Sequence, residues 1–105
     1  GGGFEWLIVD YHDQSVFAWV RRGLGDSKPV VVVSNLTPVP RLGYRVPMPA
    51  AGRWIECMNS DALVYGGSGM GNAGEAFAHA QEGAQFAAVA ELTLPPLSTL
   101  MFVLE

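Results

Sequence analysis

The apolar residues of this chain fall in short runs cut by clusters of Gly, Pro, Asn and Asp, and runs of that length rich in β-branched side chains predict strands. The stretch around which the rest is organised is Lys28 to Pro40, KPVVVVSNLTPVP. Its four consecutive valines are too few for a good helix, and a strand apolar on both faces has to lie inside the sheet. Burying four valines is worth roughly 6 to 12 kcal/mol gross, before conformational entropy is subtracted, so this strand dictates where its neighbours lie. The polar tail Ser34-Asn35-Leu36-Thr37 predicts that the strand ends near Asn35, where Asn and Thr side chains hydrogen-bond a backbone that is leaving the ladder.

Around it, Phe4 to Val9 and Ser15 to Arg22 read as strands. The second is joined to the valine strand by Gly23 to Ser27, a loop of hairpin length that predicts antiparallel pairing. Leu42 to Val46 reads as an edge strand, because Pro40, Pro47 and Pro49 flank it and proline cannot donate to a ladder. In Arg53 to Asn59, alternation puts Trp54, Glu56 and Met58 on one face and Ile55 and Cys57 on the other. The charge of Glu56 marks the tryptophan's face as the less buried one and leaves Cys57 as a small core residue. Glu75 to Ala90 is alanine-rich, yet Gly83 sits in its middle and Phe77, Phe86 and Val89 form no helical stripe. Two strand-like pieces around a bend near Glu82-Gly83 are therefore expected. Glu91 to Leu94 alternates strictly, Pro95 to Ser98 is a corner, and Thr99 to Leu104, apolar on both faces, is a second internal strand. Seven or eight short strands without a helix predict an all-β fold, an antiparallel β-sandwich with Greek-key-like connections.

At 105 residues, half of them hydrophobic, the chain has the size of one domain: Gly1 to Gly3 reads as an entry linker or a cut end, and 4–105 as a single domain. No apolar run approaches the roughly 20 residues of a membrane-spanning helix, so the chain reads as soluble, with no membrane partner. Six Lys and Arg against ten Asp and Glu give a net charge of −4 and no basic stripe for nucleic acid. An uncharged partner suits this balance better. The single cysteine cannot close an internal disulfide, which fits a reducing, cytoplasmic setting.

Candidate chemistry is sparse. Gly69-Met70-Gly71-Asn72-Ala73-Gly74 satisfies G-x-G-x-x-G, but that motif works between a parallel strand and a helix whose first amides meet a pyrophosphate. Here the context is antiparallel and five of residues 66–74 are glycine, so a plain loop and no cofactor are expected. Asp10, His12 and Asp13 carry donor types for a divalent metal, yet no second cluster completes a coordination sphere, and a solvated turn is expected instead. The histidines His12 and His79 and the thiol of Cys57 lie in no nucleophile motif, so no catalytic residue is expected. Trp54 and Tyr65 are the aromatics placed to stack on sugar rings. Cores and interfaces consume such residues too, and both uses stay open.

Six segments in order, FEWL at 4–7, SVFAWVRR at 15–22, VVVSNLTPVPR at 31–41, GYRVPMPAAGRW at 43–54, NSDALVYGGSGMGN at 59–72 and LTLPPLSTLMF at 92–102, resemble the C-terminal domain of bacterial 1,4-α-glucan (glycogen) branching enzymes of the α-amylase superfamily. The alanine-rich EAFAHAQEGAQFAAVA departs from the more polar, histidine-containing connection usual there. The resemblance implies a β-sandwich packed against an N-terminal (β/α)₈ barrel. The barrel of such an enzyme cleaves an α-1,4 link and rejoins the chain as an α-1,6 branch, with an aspartate nucleophile and a glutamate acid/base. Those carboxylates belong to barrel motifs that match no position here. The implied role is a non-catalytic domain that stabilises the barrel and contributes to its substrate surface, with Asn59, Asp61, Tyr65, Gly66 and Gly67 as the candidate interdomain interface. The alternative is an autonomous α-glucan-binding module in which Trp54 and Tyr65 contact the sugar.

Overall fold

The valine run forms β3 (Val30–Asn35), and Val31 through Asn35 are all buried, as expected of a central strand. It pairs on one side with β2 (Val16–Arg21), the hairpin partner expected from the short connection, and on the other with β8 (Ser98–Leu104). The structure, a computed structural model, describes residues 4–9, 15–22, 28–60, 72, 74–84 and 86–105. The remaining strands are β1 (Phe4–Val9), β4 (Arg41–Met48), β5 (Gly52–Asn59), β6 (Glu75–Ala80) and β7 (Ala88–Leu94). Neighbouring strands are antiparallel throughout, and they make one sheet in the order β1-β2-β3-β8-β5-β6-β7-β4.

That order forces the sheet to fold over. From β3 to β4 is five strand spacings, about 24 Å on a flat sheet, while the connecting residues Leu36 to Pro40 span at most roughly 18 Å. Folding the sheet brings the two edge strands, β1 and β4, into contact and wraps both halves around one core. The two layers of the expected sandwich are thus two halves of one hydrogen-bonded sheet. The core takes side chains from every strand: Leu7, Ala18, Val20, Val31, Val33, Met48, Trp54, Ala78, Leu92, Leu100 and Phe102 among them.

The turn after β3 is held by one side chain. Asn35 is buried, and its Nδ2 donates to the carbonyls of Val39 at 2.9 Å and Pro95 at 3.1 Å. Its Oδ1 accepts from the Thr37 amide at 3.1 Å and from the Thr37 hydroxyl at 2.7 Å. One amide therefore ties the β3–β4 turn to the corner between β7 and β8, which is closed further by the Leu97 amide donating to the Thr37 carbonyl at 2.8 Å.

Residues 75–90 form two strands around a turn, with Gly83 at φ +74° where glycine is the residue at ease. Helical propensity of the alanines loses to pairing on both sides of the segment. Two expectations for β5 are corrected. Trp54 and Glu56 do share a face, but it is the inner one: Trp54 is fully buried, its Nε1 donates to the Ala50 carbonyl at 3.1 Å, and Glu56 stands opposite the core residue Phe102. Cys57, expected inside, is exposed on the other face with its Sγ 3.4 Å from the Met101 carbonyl. The cause is a break in the ladder between Glu56 and Met58, which inserts Cys57 as an extra residue and shifts the alternation by one, so that Met58, expected beside Trp54, turns outward opposite Met101 while Asn59 turns inward.

Candidate functional site

The burial of Trp54 removes it from the candidate sugar contacts, since an indole enclosed in the core presents no face to a ring. Asn59, expected at an interface, is buried at the end of β5, and the neighbouring Ser60 clips that end to β8: its amide donates to the Thr99 carbonyl at 3.1 Å and its Oγ accepts from the Thr99 amide at 2.8 Å. Asp61, Tyr65, Gly66 and Gly67 lie outside the described residues, as do Asp10, His12 and Asp13. Of the G-x-G-x-x-G stretch only Asn72 and Gly74 are described, and a strand, β6, follows it where a dinucleotide motif requires a helix.

Two surfaces come forward instead. The first is the outer face of β1, β2, β3, β8 and β5. Register places Trp6 opposite Trp19, Trp19 opposite Val32, Val32 opposite Met101 and Met101 opposite Met58, so five large apolar residues stand in one row across five strands. The indoles of Trp6 and Trp19 meet edge to face with centroids 5.5 Å apart, and Phe17 adds a second edge contact to Trp6 at 6.3 Å. Trp6 is 46% exposed and Met58 36%, while Val32 is sealed between its two neighbours. Beside the row, Val30, Val103 and Ile55 form a second apolar line in register.

The second surface lies on the outer face of the other half. β6 and β7 pair only from Ala78 to Ala80 with Ala88 to Ala90. Beyond Ala78, β6 stays with β5 down to Glu75, while β7 stays with β4 up to Leu94, so the two strands diverge. The Asn72 side chain closes the far end of the gap, accepting from the Thr93 amide at 2.8 Å and donating to its carbonyl at 3.0 Å, as a paired strand residue would. Between them opens a groove of about 600 Å³ lined by Arg45, Glu75, Phe77, His79, Val89 and Glu91. Its charges are answered within it or at its rim. Arg45 lies 3.8 Å from Glu91, and Arg53 donates to both Glu75 and Glu105, bonds that hold its guanidinium pKa above the ordinary arginine value.

Sequence alone pointed to neither surface. The signal for the groove is in EAFAHA, where Ala76 and Ala78 at alternate positions turn inward and leave Glu75, Phe77 and His79 outside.

Residues 6–105 match the family described as alpha amylase, C-terminal all-beta domain. Among curated proteins the chain is 59% identical over 102 residues to a 1,4-alpha-glucan branching enzyme of Mesorhizobium japonicum, 54% over 101 residues to one of Rhizobium meliloti, and 55% over 100 residues to one of Paraburkholderia xenovorans. These alignments cover 97%, 96% and 95% of this chain but only 13%, 13% and 14% of the relatives. With a match that runs through every strand of an all-β fold, the chain belongs to the family of α-amylase C-terminal all-β domains.

Proposed function

We propose that this chain serves as the non-catalytic C-terminal domain of a 1,4-α-glucan branching enzyme, docked through the outer face of β1, β2, β3, β8 and β5 onto the catalytic barrel that precedes it, which it stabilises and whose substrate surface it helps to shape. The observation that carries this is the row Trp6, Trp19, Val32, Met101 and Met58. Trp and Met are residues that protein interfaces favour, and a row of them on one sheet face, with Trp6 about half exposed, is a surface that gains by being covered. The occupant follows from length. Roughly seven-eighths of each relative lies outside the match, and in a C-terminal domain that remainder enters at β1, the strand that carries Trp6. The row itself carries no charged side chain, which leaves the contact to apolar packing.

A chimera tests this. Replacing the matching segment of the Mesorhizobium japonicum enzyme with this chain is expected to preserve formation of α-1,6 branches from amylose. The double substitution Trp6→Glu and Met58→Glu is expected to cost the isolated chain the edge contacts of Trp6 with Trp19 and Phe17, about 1 to 3 kcal/mol, and to leave it folded because both sites are partly open to solvent. In the chimera the same pair places two charges in a closed apolar contact, and branching activity is expected to fall at least about tenfold with loss of thermal stability. A chimera indifferent to both charges would contradict docking through this face.

A further inference from the structure

We infer that the groove between the diverging strands β6 and β7 is a saccharide-binding site that seats a short α-1,4-linked glucan segment, with the Phe77 ring as its platform and Arg45, His79 and Glu91 as its hydrogen-bonding wall. Phe77 is 53% exposed on a strand whose other outer residues are polar, in a domain that buries Trp54 and Phe102 completely. An aromatic face left open beside clustered polar groups matches a pyranose, whose C–H face packs on a ring while its rim presents hydroxyls.

The charge pattern narrows the ligand class. Arg45 faces Glu91 and Arg53 is shared between Glu75 and Glu105, so two guanidiniums meet three carboxylates and the groove is strongly polar with only one net negative charge. An anion or a metal ion gains little there. A neutral polyol gains from carboxylate acceptors, guanidinium donors and an imidazole that offers both, all within one groove. Its volume of about 600 Å³ and its open top suit a short stretch of a longer chain that passes across. The divergence of β6 and β7 makes the cleft, and the Asn72 clip on Thr93 keeps it from closing into a ladder.

The choice of an α-1,4 linkage rests on the proposed membership of a branching enzyme; the groove's own chemistry asks only for a saccharide. The two readings fail separately, because the groove and the Trp6 row lie on different halves of the sheet. The test is a titration of the isotope-labelled 105-residue chain with maltoheptaose, followed by amide chemical shifts. Saturable shifts are expected at Arg45, Phe77, His79, Val89 and Glu91, with none along Trp6, Trp19 and Met101. Phe77→Ala is expected to weaken binding about threefold to tenfold, and Arg45→Ala to weaken it as well; both residues have exposed side chains, so both variants keep the fold. Absence of shifts, shifts confined to the Trp6 row, or binding unaltered by Phe77→Ala would each overturn the site, and cellohexaose binding as tightly as maltoheptaose would overturn the α-1,4 assignment.

Discussion

Trp54→Ala is expected to lower the unfolding free energy by about 3 to 5 kcal/mol, the cost of removing a large aromatic from a packed core. Trp54 has no exposed surface, it is the largest of the fully buried side chains, and its Nε1 satisfies the Ala50 carbonyl in the short β4–β5 connection. The substitution therefore leaves a cavity and an orphaned acceptor together. Against a total of about 5 to 15 kcal/mol for a domain of this size, the loss is a large fraction of all stability. Urea unfolding followed by circular dichroism reads it as a fall in midpoint at unchanged slope. Trp54→Phe, which keeps most of the volume but not the N–H, is expected to cost clearly less. A loss under about 1 kcal/mol for the alanine variant would place the indole at the surface after all.

Asn35→Ala is expected to cost about 2 to 4 kcal/mol although it removes a small polar side chain. The amide satisfies the carbonyls of Val39 and Pro95 and holds the amide and hydroxyl of Thr37, so its loss strands groups in a region where Asn35 itself is buried. Asn35→Asp separates donors from acceptors. The carboxylate keeps both contacts to Thr37 but turns an acceptor toward two carbonyls, and it is expected to be at least as damaging as alanine at neutral pH and less so when protonated. Thermal unfolding at pH 7 and pH 4 compares them. Equal stability of wild type and Asn35→Ala would show that the corner between β7 and β8 does not depend on this knot.

Much of the fold was legible because local chemistry and tertiary position agree. The valine run had to be central, the prolines around 41–48 had to put that strand at an edge, and Gly83 had to break the alanine stretch, and each does so. The pairing of β4 with β7 across the whole sheet was not legible, since nothing within Arg41 to Met48 names a partner so far along the chain. Trp54 was misread for a different reason. Glu56 does share its face, but that face is the inner one and the Glu56 Oε2 is buried there without a hydrogen-bond partner, so one charged residue did not mark the outer side.

The two surfaces divide along the same line. The Trp6 row needs the register of five strands before its members can be seen to align, so FEWL and SVFAWVRR singly carry no hint of it. The groove needs the parting of β6 from β7, a property of the backbone that no side chain announces. Phe77 was the one residue within reach of sequence reasoning, through its alternation with alanines.

Docking of this face is measured most directly by hydroxyl-radical footprinting of the isolated chain beside the chimera, because the row consists largely of tryptophan and methionine, whose side chains are readily oxidised. Oxidation of Trp6, Trp19, Met58 and Met101 is expected to slow at least about fivefold in the chimera while Phe77 keeps its rate. Unchanged oxidation along the row, or protection that falls on Phe77 instead, would contradict a domain held to its catalytic partner by the outer face of β1, β2, β3, β8 and β5.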